Sequence, residues 1–301
     1  MIKVYLLNRS ANKSARLAKI VRKGVEKMNK DHKQLTSQNE PELKEDEVSG
    51  LVLGCSDYKE ADGIIRLLTR EDRLLSVYAR GIQKEKSKNR RLALPFSKVR
   101  LSYLPQYSNS LLYLSRGSCE DYAHHINDDL INQSICFVIR DLITEDTLYK
   151  GLYQNVYHLW QSFNKNRKRE GYLFSCLIAS NLIKTMGIEP NFDGCVICGR
   201  TDHLVSLSRE EGGLICSECK RDDLLLVPVI RLRKLRALFK ARQENVPVLH
   251  QNFEYDLADF LFLCSWIEYH NDRSYSSIRF LETIQSMEQK KNRRDKKDQK
   301  N

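Results

Sequence analysis

Four cysteines carry the most specific chemistry in the chain. They stand as Cys195-Val196-Ile197-Cys198, then seventeen residues, then Cys216-Ser217-Glu218-Cys219. Each Cys-x-x-Cys turn brings two thiolates to one side of an ion, and two such pairs at this separation have the spacing of a zinc ribbon. Four soft sulfurs about 2.3 Å from Zn2+ complete a tetrahedron and leave no position for water, so the centre reads as structural and not catalytic. Gly194 and Gly199 flank the first pair, and Gly212-Gly213 precede the second. A redox dithiol and an iron–sulfur cluster are the competing readings of the same residues. His203 lies nearby but is not needed as a fifth ligand, and reads as a surface residue.

The elements that must hold these sulfurs are helical. Leu130, Ile131, Ile135, Val138, Ile139 and Leu142 follow a 3.6-residue period, with Asn127 or Asp128 placed to cap its start. Val156, Leu159, Trp160 and Phe163 repeat the pattern. So do Leu173, Leu177, Ile178, Leu182 and Met186, which end at Gly187 as a C-terminal cap. After Pro228, Leu232, Leu235, Leu238 and Phe239 make an apolar stripe. The opposite side carries Arg231, Arg233, Lys234, Arg236, Lys240 and Arg242, a solvated face or an extension of a nucleic-acid surface. Two further helices are expected over 256–269 and 277–287. A helical domain of residues 121–194 and 220–289 follows, with the cysteine ribbon, 195–219, inserted into it.

Residues 48–120 have a different period. Runs rich in β-formers, 48–55, 64–69, 74–80, 96–104 and 111–116, are separated by polar turns. Five short strands hide their edges best by closing into a small barrel. The fold class is therefore α+β: an N-terminal five-stranded β-barrel, then the helical domain with its ribbon. Alternation points Leu75, Val77 and Ala79 inward and Tyr78 and Arg80 outward. It likewise points Val99, Leu101 and Tyr103 inward and Lys98 and Arg100 outward. Tyr78 beside Arg80, Lys98 and Arg100 would join a stacking surface to phosphate partners, the combination that binds single-stranded nucleic acid. The connection 81–95 adds Lys84, Lys86, Lys88, Arg90 and Arg91 against a single Glu85. It reads as a cationic loop without a hydrophobic face of its own, hanging off the barrel and able to close over a phosphate backbone.

The charge map agrees with a polyanionic partner. The 301 residues hold 50 Lys and Arg against 39 Asp and Glu, a net charge of +11. Residues 1–47, 48–120 and 231–301 carry +4, +6 and +5, while 121–190 and 191–230 carry −1 and −3. No apolar run approaches the ~18 residues that cross a bilayer. Nine cysteines, an odd number, and the lack of an apolar signal segment point to a reducing cytosol. Cys119, Cys136, Cys176 and Cys264 read as small buried hydrophobes. Residues 1–47 read as a disordered basic extension or as upstream sequence from a misassigned start. Residues 290–301 read as a frayed basic tail. Phosphate-cradling loops, His-Glu-x-x-His and Gly-x-Ser-x-Gly are absent from the sequence. Asp57, Glu60 and Asp62 read as turn and capping carboxylates, with a metal site as the alternative. His124-His125 has no identifiable catalytic partner.

This order of parts resembles the RecO family of bacterial recombination mediators. The resemblance is carried by Asp57-Tyr58-Lys59-Glu60-Ala61-Asp62, Leu67-Leu68-Thr69-Arg70-Glu71, Ala79-Arg80-Gly81, Lys84, Ser87 and Pro95-Phe96. It continues through Met186-Gly187, Pro190, the two cysteine pairs with Gly212-Gly213 between them, and Arg279-Phe280-Leu281. Arg73-Leu74 and Gln83 depart from the family's pattern. The resemblance implies an oligonucleotide/oligosaccharide-binding (OB) barrel, no enzymatic turnover, and a nucleoid-associated cytoplasmic protein. Implied partners are single- and double-stranded DNA, RecR, the C-terminal tail of single-stranded DNA-binding protein and, indirectly, RecA. The implied action is strand annealing and help in loading RecA. The reading from another class is a zinc-ribbon RNA-binding protein or a metal-dependent nucleic-acid-processing enzyme.

Overall fold

The computed structural model describes residues 45–104, 112–123, 126 and 128–298. The expected N-terminal extension, apart from its last three residues, and His124-His125 lie outside the described residues. Five strands close the barrel: β1 (Asp46–Tyr58), β2 (Asp62–Thr69), β3 (Leu74–Ala79), β4 (Lys98–Leu104) and β5 (Leu112–Asp121). Their order around it is β1-β2-β3-β5-β4, with β4 returning to β1 and β3 parallel to β5. All five expected strands form. The first begins two residues early, at Asp46, and Glu45 holds Ser115 and Arg116 of β5.

Alternation builds the barrel interior from aliphatic side chains: Val48, Val52, Ile65, Leu67, Val77, Ala79, Val99 and Leu101. A register slip between Val52 and Gly54 bulges β1. Leu51, Leu53, Leu68 and Phe96 join the helical core instead of the barrel core. The barrel and the helical body are thus packed through a shared apolar layer.

The body contains α1 (Leu130–Leu142), α2 (Leu152–Asn164), α3 (Lys168–Thr185), α4 (Val229–Lys240), α5 (Val246–Asn252), α6 (Leu257–Asn271) and α7 (Ser276–Asp298). The cap of α1 is Asp129, which accepts from the Asn132 N–H at 3.0 Å, one residue beyond the expected Asp128; the alternative, Asn127, lies outside the described residues. Gly187 stops α3 with a positive φ of 72°, a conformation that a Cβ would strain. The last helix runs to Asp298, so most of the expected frayed tail is helical. Among its described side chains, those up to residue 290, the last buried one is Ile284.

Two polar joints lock barrel to body. Arg66 on β2 donates to the carbonyls of Arg140 and Ile143, placing a cation at the carboxyl end of α1. Asp72, in the β2–β3 turn with φ 60°, accepts from the N–H groups of Gly151 and Tyr153, both at 2.7 Å. A carboxylate there satisfies donors that the first turn of α2 leaves open. Asp72→Ala is expected to cost about 1–2 kcal/mol, read as a fall in the denaturant midpoint at constant slope. An unchanged midpoint would mean the joint adds nothing.

The cationic side of the helix over 231–242 is largely committed to structure. Asp259, nearly fully buried at the start of α6, pairs with Arg231 at 3.1 Å and with Lys234. Arg236 donates to the Phe192 carbonyl at 3.1 Å, and Lys240 pairs with Asp193 at 3.0 Å. A carboxylate this deep demands its partners, since removing one leaves a buried charge uncompensated.

Candidate functional site

The ribbon is a hairpin, β6 (Leu204–Ser208) with β7 (Gly213–Cys216), preceded by the first cysteine turn. Leu207 and Leu214 of this hairpin enter the helical core. Close backbone approach fixes the turn: the Cys195 N–H donates to the Arg200 carbonyl at 2.7 Å, and Val196 donates to Leu214 at 2.9 Å. A Cβ at Gly213 would lie 2.5 Å from Val196 and 2.8 Å from the Asn191 carbonyl, so no larger residue fits there.

The four Sγ atoms of Cys195, Cys198, Cys216 and Cys219 lie within 4.8 Å of one another, and Cys198 and Cys216 are 3.7 Å apart. Sulfurs about 2.3 Å from a tetrahedral ion stand roughly 3.8 Å apart, so the donor set matches a metal ion in number, chemistry and spacing. Burial opposes ionisation of Cys195, but backbone N–H groups of Cys216, Cys198 and Ile197 outweigh it and bring its pKa down to about 6. Hydrogen bonding with Cys198 and Cys216 pushes Cys219 up to about 12, because adjacent thiols share protons. A dication displaces those protons. Among the described residues this is the one group of Cys, His, Asp and Glu close enough to hold a metal. Asp57, Glu60 and Asp62 do not form one. Asp57 accepts from Gln83 at 3.0 Å, and Asp62 from Tyr78 and Gly81, as turn carboxylates do. His203 is exposed, beside Asp202.

Of the other cysteines, Cys136, Cys176 and Cys264 are buried, and burial raises their thiol pKa values. Cys119 is only partly buried on β5, with its thiol on the Asp121 carbonyl. It pairs with Val99 and packs against the barrel core without being fully enclosed by it.

The cations of the barrel divide into two sets. Lys98 and Arg100 both pair with Glu120 on β5, at 3.1 and 3.2 Å, and the Lys98 ammonium lies 5.5 Å from the Tyr157 ring of α2. Burial raises the Glu120 pKa, but hydrogen bonds and charge from these cations outweigh it and hold the carboxyl below its usual value. The barrel order puts β5 between β3 and β4. Tyr78 pairs with Tyr113 near the start of β5, while Lys98 and Arg100 pair with Asp121 and Ser118 toward its far end. The expected single face with Tyr78 and Arg80 beside Lys98 and Arg100 is therefore split in two. Alternation assigned inside and outside correctly, but the closure order that separates the strands is not periodic in the sequence.

The second set is the 81–95 connection. Lys84, Lys86, Lys88, Arg90 and Arg91 are all exposed, and no salt bridge to any of them is seen among the described residues. The segment does not hang free. Ile82 and Leu92 are buried in the barrel core, and a short 3-10 turn, Arg90–Ala93, follows successive tight turns. Leu92 fits where Gly117 leaves room, since a Cβ at Gly117 would lie 2.7 Å from it. Two apolar residues ten apart make no period, which is why the anchoring is invisible in the sequence. Ser87, Lys88, Arg90, Arg91 and Leu94 line an open concavity of about 580 Å³. Its rim of three cations over an exposed Leu94 suits a phosphodiester chain.

Tyr78 occupies a different place. Its ring lies 5.7 Å from Tyr58 and 4.9 Å from Tyr113, and its hydroxyl donates to Asp62 at 2.5 Å. Arg80 follows, exposed, at the end of β3. Tyr113 was not singled out from the sequence, because only the parallel pairing of β3 with β5 brings it to Tyr78, and Tyr58 entered only as part of the Asp57–Asp62 motif.

Comparison with known proteins covers most of the chain. Residues 44–122 match the family model for the N-terminal part of recombination protein O, and residues 130–261 match that for its C-terminal part. The chain is 26% identical over 246 residues to the DNA repair protein RecO of Bacillus subtilis (strain 168), covering 79% of this chain and 94% of that protein. It is 29% identical over 188 residues to the DNA repair protein RecO of Bacillus pumilus, covering 60% and 70%. Among the described residues no helix is long and apolar enough to cross a membrane.

Proposed function

Because the chain belongs to the recombination protein O family, we propose that it is a DNA-binding recombination mediator in DNA repair. It holds single and double strands through their phosphates and helps complementary strands anneal. It acts with RecR to load RecA on strands coated by single-stranded DNA-binding protein, in the cytoplasm at the nucleoid. The observation that carries this reading is the anchored 81–95 connection, which holds Lys84, Lys86, Lys88, Arg90 and Arg91 outward on a closed barrel. Fixed cations bind a polyanion without reading bases, and they screen two strands that would otherwise repel each other. For the acidic, apolar-ended tail of single-stranded DNA-binding protein, exposed Leu225, Leu226, Val229 and Ile230 beside Arg233 of α4 offer matching chemistry.

Zn2+ is the ion this reading assigns to the four sulfurs, with a bracing role. Cys195, Cys198, Cys216 and Cys219 would hold it, and a full sulfur shell leaves no site for substrate or water, so no turnover is routed through it. The enzyme alternative has no such open position to build on.

The reading is tested with labelled oligonucleotides of unrelated sequence, single-stranded and duplex, titrated between ~50 and ~200 mM salt. The expected result is similar affinity across sequences, a log–log salt slope that is clearly negative, and faster annealing of complementary strands. Salt-independent binding, or metal-dependent degradation of the oligonucleotides, would overturn it.

A further inference from the structure

Three partly buried tyrosines meet at one end of the barrel, brought there from the ends of three strands. Tyr58 closes β1, Tyr78 stands next to last in β3, and Tyr113 is second in β5. Tyr58 meets Tyr78 edge to face at an interplanar angle of 89°, and Tyr113 tilts against Tyr78 at 58°. None of the three belongs to the barrel core or to the helical core. The barrel interior is filled by aliphatic side chains, so the cluster is not needed to fill it. Aromatic area left at a surface and outside both cores suits a flat ligand.

The surroundings narrow the ligand. Cations border the rings: the Lys59 ammonium is 5.5 Å from the Tyr58 centroid, Arg80 is exposed in the turn just after β3 with its charge felt by Tyr78 and Asp62, and the Lys84 side chain lies against the turn at Gly81. Of the carboxylates in the adjoining turn, Asp62 is engaged by the Tyr78 hydroxyl and the Gly81 N–H at 2.8 Å and Asp57 by Gln83, while Glu60 is exposed. The Tyr78–Asp62 bond also fixes one ring in place, which lowers the ordering cost of stacking against it. Flat rings bordered by cations fit a ligand that alternates planar bases with phosphates. In a duplex the base faces are already stacked on each other and cannot reach the rings.

Resting on the DNA-binding reading above, we propose that Tyr58, Tyr78 and Tyr113 form a stacking platform for unpaired bases, with Lys59, Arg80 and Lys84 on the adjoining phosphates. The charged 81–95 connection then serves single and double strands alike, and the tyrosines add a preference for single strands.

The test uses the whole chain and three probes: a single-stranded oligonucleotide, an abasic strand of equal length, and the duplex. Replacing Tyr58 and Tyr113 together by Leu is expected to weaken single-strand binding at least about fivefold. Duplex affinity and the salt slope stay unchanged. The unaltered protein should bind the abasic strand about as weakly as this variant binds the intact one. Tyr58→Phe with Tyr113→Phe keeps the rings and should keep the affinity. Should the Leu variant fail to fold, as read by circular dichroism, the Phe variant and the abasic comparison still decide. Equal binding of intact and abasic strands by the unaltered protein, or equal loss on strand and duplex, overturns the platform and leaves the electrostatic reading standing. If the unaltered protein binds no probe at all, the DNA-binding reading falls and takes the platform with it.

Discussion

Cys216→Ser is expected to release the metal and to destabilise the helical body by about 4 kcal/mol or more. Cys216 is completely buried at the end of β7. A serine hydroxyl does not ionise to replace a thiolate, so three ligands and an unpaired polar group remain. The loss then spreads beyond the ion. The hairpin that carries the cysteine sends Leu207 and Leu214 into the core. The segment before it packs Phe192 against Phe239 of α4, ring centres 5.2 Å apart, and accepts the Arg236 hydrogen bond. The hairpin tip is held to α6 through Arg209 and Ser265 at 2.8 Å. The measurements are metal per chain by elemental analysis and the midpoint of thermal unfolding. One zinc in the unaltered chain, none in the variant, and a fall in Tm of roughly 10 °C are expected. A variant that keeps its ion and its midpoint would remove the bracing role, and iron in place of zinc would change the identity of the ion.

The second large effect belongs to the 81–95 connection. Changing Lys84, Lys88, Arg90 and Arg91 to Ala is expected to lower affinity for single strands on the order of a hundredfold at ~0.1 M salt, and to flatten the log–log salt slope by about 3. Each cation is exposed and without a salt bridge among the described residues, so stability should move by less than about 0.5 kcal/mol. Lys98→Ala with Arg100→Ala is the internal comparison. Those two already neutralise Glu120, so their removal should flatten the slope less and disturb the barrel more. Equal slopes for the two variants would mean that the phosphates follow another path across the surface.

What the sequence displays and what it conceals divide along physical lines. The cysteine pairs were legible because metal geometry imposes a spacing that little else produces. Inward and outward residues such as Val77 and Tyr78 were legible because the pleat has a period of two. Closure order has no period. Nothing local tells Lys98 that its neighbour is Glu120 on β5, or brings Tyr113 to Tyr78, and so the expected face divided. Anchoring by single residues is equally silent, as with Ile82 and Leu92 beneath a run of charge. The cationic side of 231–242 read as a solvated face or a nucleic-acid surface, because its partner, Asp259, is a lone carboxylate inside an apolar run.

Among the described residues, the joints at Arg66 and Asp72 and the apolar layer tie the barrel to the body at several separate points. A tug on a strand held at the barrel would reach α1 and α2 through them. The same coupling limits exchange of parts between relatives. A transplanted barrel would dock only if it brought side chains matching the new host's α1 carbonyls and first turn of α2, so the two halves are expected to have been inherited as a pair.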